Sequence, residues 1–290
     1  MSKPLISIGE LIDQSWEVFR ARSTELLTIS GWLLSTAILF AIALSFYPSA
    51  SRLQLGGSLT SLEIMGVVIF AITSFVIAPL LSFWIYTSIT KATGNHLARK
   101  TVNAKQAMKE GRLVFIPAAL TSVMVILMAL LAVVIGFAPA IILATIGSLA
   151  NVSALIVFAN ILLILGIFVA VFLTIKWVVF YFLAPYITIL DGVTAKVALA
   201  TSRQLIQGRF WAVLIRILVP KLVFIIFGVF AMSIVAYLVG IIISASSGIN
   251  FDIQLRVTTM TQTIVPIVIA VLINPLILIS DVLLLKSLKQ

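Results

Sequence analysis

Long apolar runs alternate with short charged segments along this chain. Residues 113–175 form a stretch of 63 residues without Asp, Glu, Lys, Arg or His, whereas one bilayer crossing takes about 20 predominantly apolar residues. Four further runs lack Asp, Glu, Lys and Arg, at residues 26–51, 64–90, 222–251 and 257–280. The pattern predicts six transmembrane helices, at about residues 26–47, 64–90, 113–138, 155–183, 218–245 and 260–285. An uncharged connection is expected near residues 139–151. Because the run from 113 to 175 is longer than two minimal crossings require, its surplus residues are expected to form either long tilted helices or an apolar segment at the outer surface.

Composition places the whole chain in the membrane class. Hydrophobic residues make up 62% of the 290 positions and charged residues 10%, and the mean hydropathy is +1.26, far from globular averages. No polar block is long enough for a soluble domain, so we expect an all-α polytopic protein with a single integral membrane domain over 1–290. Glu10, Asp13 and Glu17 lie where a signal peptide would be apolar, so the first span is expected to be retained. The absence of Cys excludes disulfides, thiolate metal sites and Cys nucleophiles.

The basic residues predict an orientation. Sixteen of the 19 Lys and Arg residues, starting with Lys3, fall before the first span, between the second and third, between the fourth and fifth, or after the sixth. The positive-inside rule then places both termini in the cytoplasm. The net charge of +10 is interpreted as attraction to anionic lipid headgroups rather than to nucleic acid. The candidate headgroup contacts are Arg99, Lys100, Lys105, Arg203 and Arg209.

Three amphipathic segments, at residues 8–20, 102–116 and 193–207, precede the odd-numbered spans. Their matching positions hold Leu11, Ala107 and Ala198, then Ile12, Met108 and Leu199, then Ser15, Gly111 and Ser202. The even-numbered spans each contain a proline, at Pro79, Pro185 and Pro275, and Asp191 and Asp281 follow the last two prolines by six residues. These echoes predict three copies of one unit, at about 7–100, 101–192 and 193–290, each with a cytoplasmic surface helix, a span out and a span back. The alternative is chance similarity in a low-complexity sequence. Parallel repeats are unlike the inverted repeats of many transporters.

A resemblance to a known family is carried by two segments. One is Phe182-Leu-Ala-Pro-Tyr-Ile-Thr-Ile-Leu-Asp-Gly, continuing to Trp211, and the other is Ile8-Gly-Glu-Leu with Ser15-Trp16. Both resemble the integral membrane domain fused to some bacterial glycerophosphodiester phosphodiesterases, and the related YciC-like inner-membrane proteins. The resemblance implies a six-span helical domain in a prokaryotic plasma membrane, without defined chemistry of its own. Phosphodiesterase activity belongs to a separate soluble barrel and is not expected of residues 1–290.

Four charges are candidates for intramembrane or interfacial roles. Lys176 either extends its ammonium to the inner headgroups or, if its helix continues to Asp191, lies fifteen residues, about 22 Å, inside the span. Asp281 either pairs with a basic residue of a neighbouring helix or caps the cytoplasmic end beside Lys286. Arg216 and Lys221 are interpreted as anchors at the inner surface, because Pro220 suits a helix start near residue 218.

The remaining polar candidates point to no catalytic chemistry. His96 is the single histidine and is predicted to be a solvated loop residue, because no Cys, second His or carboxylate cluster could join it around a metal. Glu110 is expected to form helical ion pairs with Lys105, Lys109 and Arg112. The chain contains no His-Glu-x-x-His, Gly-x-Ser-x-Gly or Walker-type loop.

These observations predict a non-enzymatic membrane protein without a cofactor. It would act as a scaffold, as an accessory to an unidentified membrane protein, or as a lipid-interacting module that binds anionic headgroups. The alternative is a transporter or channel for a small or lipidic anion, with Lys176 as its intramembrane site.

Overall fold

Helices account for every regular element in the part of the chain that the structure describes. The computed structural model describes residues 5–49, 52, 56–100, 103–245 and 251–290. Lys3 lies outside these residues. The first half forms α1 (Ile8–Ala21), α2 (Ser23–Ser30), α3 (Leu33–Phe46), α4 (Ser61–Ile72) and α5 (Ala78–Leu97), with a π-helical turn at Thr73–Ile77 between the last two. The second half forms α6 (Ala104–Leu113), α7 (Phe115–Leu149), α8 (Ser153–Tyr181), α9 (Ala184–Asp191), α10 (Ala195–Ile206), α11 (Phe210–Ala245) and α12 (Phe251–Lys289).

Six helical segments are long and apolar enough to cross a membrane, which supports a multi-pass membrane protein. They are Ser23–Phe46, Ser61–Leu97, Phe115–Leu149, Ser153–Asp191, Phe210–Ile243 and Asp252–Lys289. Each overlaps one predicted span, so the predicted number is confirmed. Most are longer than predicted: α12 has 39 residues, or about 58 Å, against a hydrocarbon core of about 30 Å.

Two predicted boundaries differ from the observed helices: the connection near residues 139–151, for which a longer helix was the alternative, and the proline-based start near residue 218. Pro139 lies inside α7, which continues to Leu149, so residues 139–151 are mostly helix rather than a connection. Pro220 lies inside α11, which begins at Phe210 rather than near residue 218. A proline removes its own N–H and crowds the carbonyl one turn earlier. The surrounding apolar residues continue the helix because a membrane gives their backbone groups no other partner.

The chain divides into two compact units. Unit 1 comprises Met1–Phe115 and Arg216–Ser287, and unit 2 comprises Ile116–Ile215 and Leu288–Gln290. Unit 1 is therefore assembled from two stretches separated by about one hundred residues. This division into units does not test the predicted single membrane domain or the predicted threefold repeat, and both stay predictions.

The core of unit 1 is centred on the second half of α12. Its residues from Leu276 onwards include Ile279 and Leu284, both fully buried. Pro275 has no N–H to donate to Val271 O, the carbonyl one turn earlier. Ser30, at the end of α2, donates its hydroxyl to that oxygen at 2.8 Å. A side chain from a distant part of the sequence thus satisfies the backbone group that the proline leaves free.

Small residues bring α7 and α8 together in unit 2. A Cβ added to Gly136 or Gly166 would overlap the other residue's carbonyl oxygen. The buried residues on either side are also small, namely Ala132, Ala140, Ala159 and Ala170. Helices in lipid associate through such close packing, since burial from water contributes little there. The two backbones therefore touch at one glycine pair.

Replacing Ser30 tests the bond that compensates for Pro275. Ser30→Ala should lower the free energy of unfolding by about 0.6–1.7 kcal/mol, the range found for hydrogen bonds between membrane helices. The measurement is denaturant-induced unfolding of the full chain in detergent micelles. The control is Ser233→Ala, whose hydroxyl donates to Val229 O in its own helix and should change stability little. Equal effects of the two substitutions would contradict the assigned role of Ser30.

Candidate functional site

Lys176 lies on an exposed face of α8. Its Nζ is 5.9 Å from the ring centroid of Phe172, one turn earlier on the same face, in cation–π geometry. Helix α8 ends at Tyr181 and α9 follows after two residues, so Lys176 is well inside the helical segment that ends at Asp191. Within the described residues no carboxylate lies within ion-pair distance of Lys176. It is not part of a buried polar site in unit 2.

Asp281 pairs with Lys221 of a neighbouring helix. Asp281 Oδ2 lies 3.1 Å from Lys221 Nζ, and the two side chains are 2% and 21% exposed. Both residues belong to unit 1, on α12 and α11. Lys286, the other partner considered for the end of α12, donates instead to Leu97 O at 3.3 Å. The structure therefore places a carboxylate in the apolar core with an ammonium beside it.

Arg216 does not precede a helix as predicted, while its role as an anchor at the inner surface stays a prediction. It lies within α11, and its Nε donates to Ile6 O at 2.7 Å. The guanidinium therefore fixes the segment that leads into α1. Because α11 begins at Phe210, Arg216 and Lys221 are two and three turns inside a helix.

A cleft beside α6, called the α6 cleft below, collects basic side chains in unit 1. It has a volume of about 590 Å³ and is lined by Trp84, Asn103, Lys105, Gln106, Met108, Lys109 and Arg112. Helix α6 lies directly against α5, because Gly111 has no Cβ to collide with Ser88. Trp84 of α5 donates its indole N–H to Met108 O at 3.2 Å. An aromatic ring thus forms one wall and the Lys and Arg side chains form the other.

The carboxylate nearest to this cleft points elsewhere. Glu110 accepts hydrogen bonds from Asn95 at 2.8 Å and from Gln106 at 3.1 Å. The predicted ion pairs of Glu110 are therefore wrong, because the amide of Asn95 in α5 competes successfully for it. Across the described ranges, Lys105, Lys109 and Arg112 form no ion pair. The cleft keeps its positive charge.

A second basic cleft lies beside α10 in unit 2 and is called the α10 cleft below. It has a volume of about 450 Å³ and is lined by Met128, Tyr181, Lys196, Leu199, Ala200, Arg203, Gln204 and Gln207. Ser202 fixes α10 to the end of α8 by donating its hydroxyl to Phe180 O at 2.7 Å. No carboxylate lines this cleft, and the nearby Asp191 is paired with Lys289.

The two clefts share one arrangement of side chains. Helices α6 and α10 each present a Lys, an apolar residue three positions later and an Arg seven positions after the Lys. These residues are Lys105, Met108 and Arg112 in α6, and Lys196, Leu199 and Arg203 in α10. This spacing puts the three side chains on one helix face. A Lys and an Arg together offer charge-assisted hydrogen bonds to one anion, while the aromatic and aliphatic residues suit an attached apolar group.

Two of the four Lys and Arg residues in this shared arrangement were predicted from the sequence. Lys105 and Arg203 were predicted as headgroup contacts and do line the clefts, whereas Arg99, Lys100 and Arg209 line neither. Their partners Arg112 and Lys196 were not singled out. The spacing of seven residues within each amphipathic segment was the signal that would have found them.

His96 is not a solvated loop residue as predicted. It lies in the last turn of α5, where its Nδ1 accepts a hydrogen bond from Arg22 Nε at 3.3 Å. Arg22 in turn contacts Glu25 Oε1 at 2.7 Å. The residues that the structure describes contain no group of three His, Cys, Asp or Glu side chains that could hold a metal ion. His96 therefore belongs to a small polar cluster at the end of α5.

The pair of Lys221 and Asp281 can be tested by removing one or both charges. Lys221→Met should lower the free energy of unfolding by about 3 kcal/mol, because it leaves a buried carboxylate without its cation. The double variant Lys221→Met/Asp281→Leu should recover most of that loss, since two apolar side chains fill the site. Unfolding in detergent micelles measures both effects.

The control is the more exposed pair of Arg52 and Glu63, whose side chains are 42% and 16% exposed. Arg52→Gln should cost at most about 1 kcal/mol. A double variant at Lys221 and Asp281 that is no more stable than either single variant would contradict a specific pairing.

Comparison with known proteins assigns no family to the chain. No protein-family model, curated protein or solved structure matches it. The resemblance to membrane domains fused to phosphodiesterases therefore stays a prediction.

Proposed function

We propose that this chain is a non-enzymatic membrane module that binds anionic lipid headgroups in the α6 and α10 clefts. The supporting observation is the repeated arrangement of Lys and Arg around an apolar floor, with no carboxylate on either lining. A basic residue near an anionic surface contributes about 1 kcal/mol of attraction. Two such residues converging on one phosphate add charge-assisted hydrogen bonds and select a position for it.

The proposed module spans a prokaryotic plasma membrane, with both termini in the cytoplasm and its surface helices under the cytoplasmic leaflet. Helices α1, α6 and α10 would be amphipathic surface helices. The buried residues Leu11 and Ser15 in α1, Ala107 and Gly111 in α6, and Ala198 and Ser202 in α10 support this. They also support the threefold repeat, because two of the three matching positions are buried in every copy. In α1 the positions that correspond to the cleft cations hold Gly9 and Trp16, so the first copy would lack a basic cleft.

In this proposal the chain acts as a scaffold or accessory for another membrane protein, and its lipid sites help to position that partner. The alternative of an anion transporter or channel gains no support from Lys176, whose side chain is on an exposed face of α8. A pathway for an anion would need cations that line an interior passage. The basic clefts are instead on surface helices.

Neutralising the clefts tests the lipid sites. The variant Lys105→Gln/Arg112→Gln/Lys196→Gln/Arg203→Gln should bind phosphatidylglycerol about 10–30-fold more weakly per cleft, since each cleft loses two attractive charges. Native mass spectrometry of the full chain with added phosphatidylglycerol measures retention.

The matched control is Arg99→Gln/Lys100→Gln, which removes neighbouring charges that line neither cleft. It should retain the lipid almost as well as the unmodified chain. If a Lys105→Gln/Arg112→Gln variant and this control lose lipid to the same extent, the attraction is diffuse and the proposal of defined sites fails.

The orientation can be tested separately because the chain contains no Cys. A Cys introduced by Ser49→Cys, beyond the end of α3, should react with an impermeant thiol reagent in intact cells. One introduced by Asn103→Cys, just before α6, should react only after the membrane is opened. The reverse labelling pattern would overturn the proposed topology.

A further inference from the structure

A cavity lies in unit 1 where α3 ends and α12 begins, and it is called the Tyr47 cavity below. This is the end of the α3–α4 hairpin opposite to the α6 cleft. The cavity is partly open and has a volume of about 330 Å³, within the usual range for ligand sites. Its lining consists of Leu44, Tyr47, Pro48, Ser49, Phe70, Asp252, Leu255, Arg256, Thr259 and Thr263. None of the functions proposed above uses it.

Arg256 is held rigidly at the polar end of this cavity. Its Nη1 donates to Leu44 O at 2.8 Å and to Ser45 O, and its Nη2 donates to Tyr47 O at 2.9 Å. These are carbonyls at the end of α3 that have no partner within their own helix. A guanidinium has five N–H donors, and among the described residues only three of these are engaged. Arg256 therefore offers two further donors in a fixed position.

A negative charge lies beside this positive one. Asp252 precedes Arg256 by one helical turn, so both side chains project from the same face of α12 into the cavity lining. A ligand that carried only an anion would meet repulsion from Asp252. A group with a phosphate and an ammonium matches both charges.

The rest of the lining suits a hydrocarbon chain. Phe70 and Leu44 supply apolar surface, and Thr259 and Thr263 satisfy their hydroxyls within α12, by donating to Leu255 O and Thr259 O. From Asp252 to Thr263 the helix rises about 16 Å, roughly the depth of one leaflet of a bilayer core of about 30 Å. The cavity thus has a zwitterionic end and an apolar extension of leaflet depth.

We propose that the Tyr47 cavity binds one zwitterionic aminophospholipid, of the phosphatidylethanolamine class. Its phosphate accepts hydrogen bonds from Arg256, its ammonium lies near Asp252, and one acyl chain follows α12 past Thr263. This site differs from the α6 and α10 clefts in its place and in the charge of its ligand. It does not depend on those clefts.

Two variants test the proposal on the purified full chain by native mass spectrometry. The chain is titrated with an equal mixture of phosphatidylethanolamine and phosphatidylglycerol. Thr263→Trp fills the apolar part of the cavity and should abolish the retained phosphatidylethanolamine. Thr261→Trp, on the same helix but outside the lining, should retain it like the unmodified chain. Equal retention by both Trp variants would overturn the proposal.

Asp252→Asn tests the headgroup without filling the cavity. The variant should shift the ratio of bound phosphatidylethanolamine to phosphatidylglycerol about fivefold towards phosphatidylglycerol, the effect of removing one repelling charge. An unchanged ratio would contradict the assigned role of Asp252. Soluble phosphoethanolamine should not displace the lipid, and displacement at a similar concentration would show a site for a soluble zwitterion instead.

Discussion

The backbone's need for hydrogen bonds inside apolar helices governs this structure. Most prolines of the long spans remain inside helices because a broken helix would leave more N–H and C=O groups without partners than a proline does. At Pro275 a specific side chain takes the freed carbonyl. Ser30 does so for Val271, and in the same way Arg256 takes the last carbonyls of α3. These side chains connect segments that are more than two hundred residues apart in sequence.

The carboxylates of Asp281 and Glu110 also have specific hydrogen-bond or ion-pair partners. The buried carboxylate Asp281 has an ammonium beside it, and Glu110 accepts two amide donors rather than neutralising nearby cations. The cations left over project from α6 and α10 into clefts with aromatic or aliphatic walls. The chain therefore separates two roles for charge, one that holds helices together inside the core and one that remains open to a ligand.

The number of spans could be predicted from the sequence because hydropathy reports directly on transfer into a bilayer. Helix ends could not, since Pro139 and Pro220 are strong end signals in water and weak ones in lipid. The partner of Asp281 was open because it depends on which helices are neighbours, and charge spacing does not contain that information. One cation of each cleft, Lys105 or Arg203, was predicted as a headgroup contact. Lys105 and Arg112 are recognised as a pair only when residues seven positions apart are placed on the same helix face.

The discontinuity of unit 1 has a consequence for biosynthesis. Its buried centre, in α12, leaves the ribosome well after the residues up to Phe115, because all of Ile116 to Ile215 is made between them. The intervening stretch from Ile116 to Ile215 takes about 5–20 s to translate at typical speeds. During that interval the early helices wait in the membrane without α12, and Ser30 has no Val271 carbonyl to bind. Insertion factors would meet an unfinished unit 1 while Ile116 to Ile215 is being made, whereas unit 2 emerges almost entirely as one uninterrupted stretch.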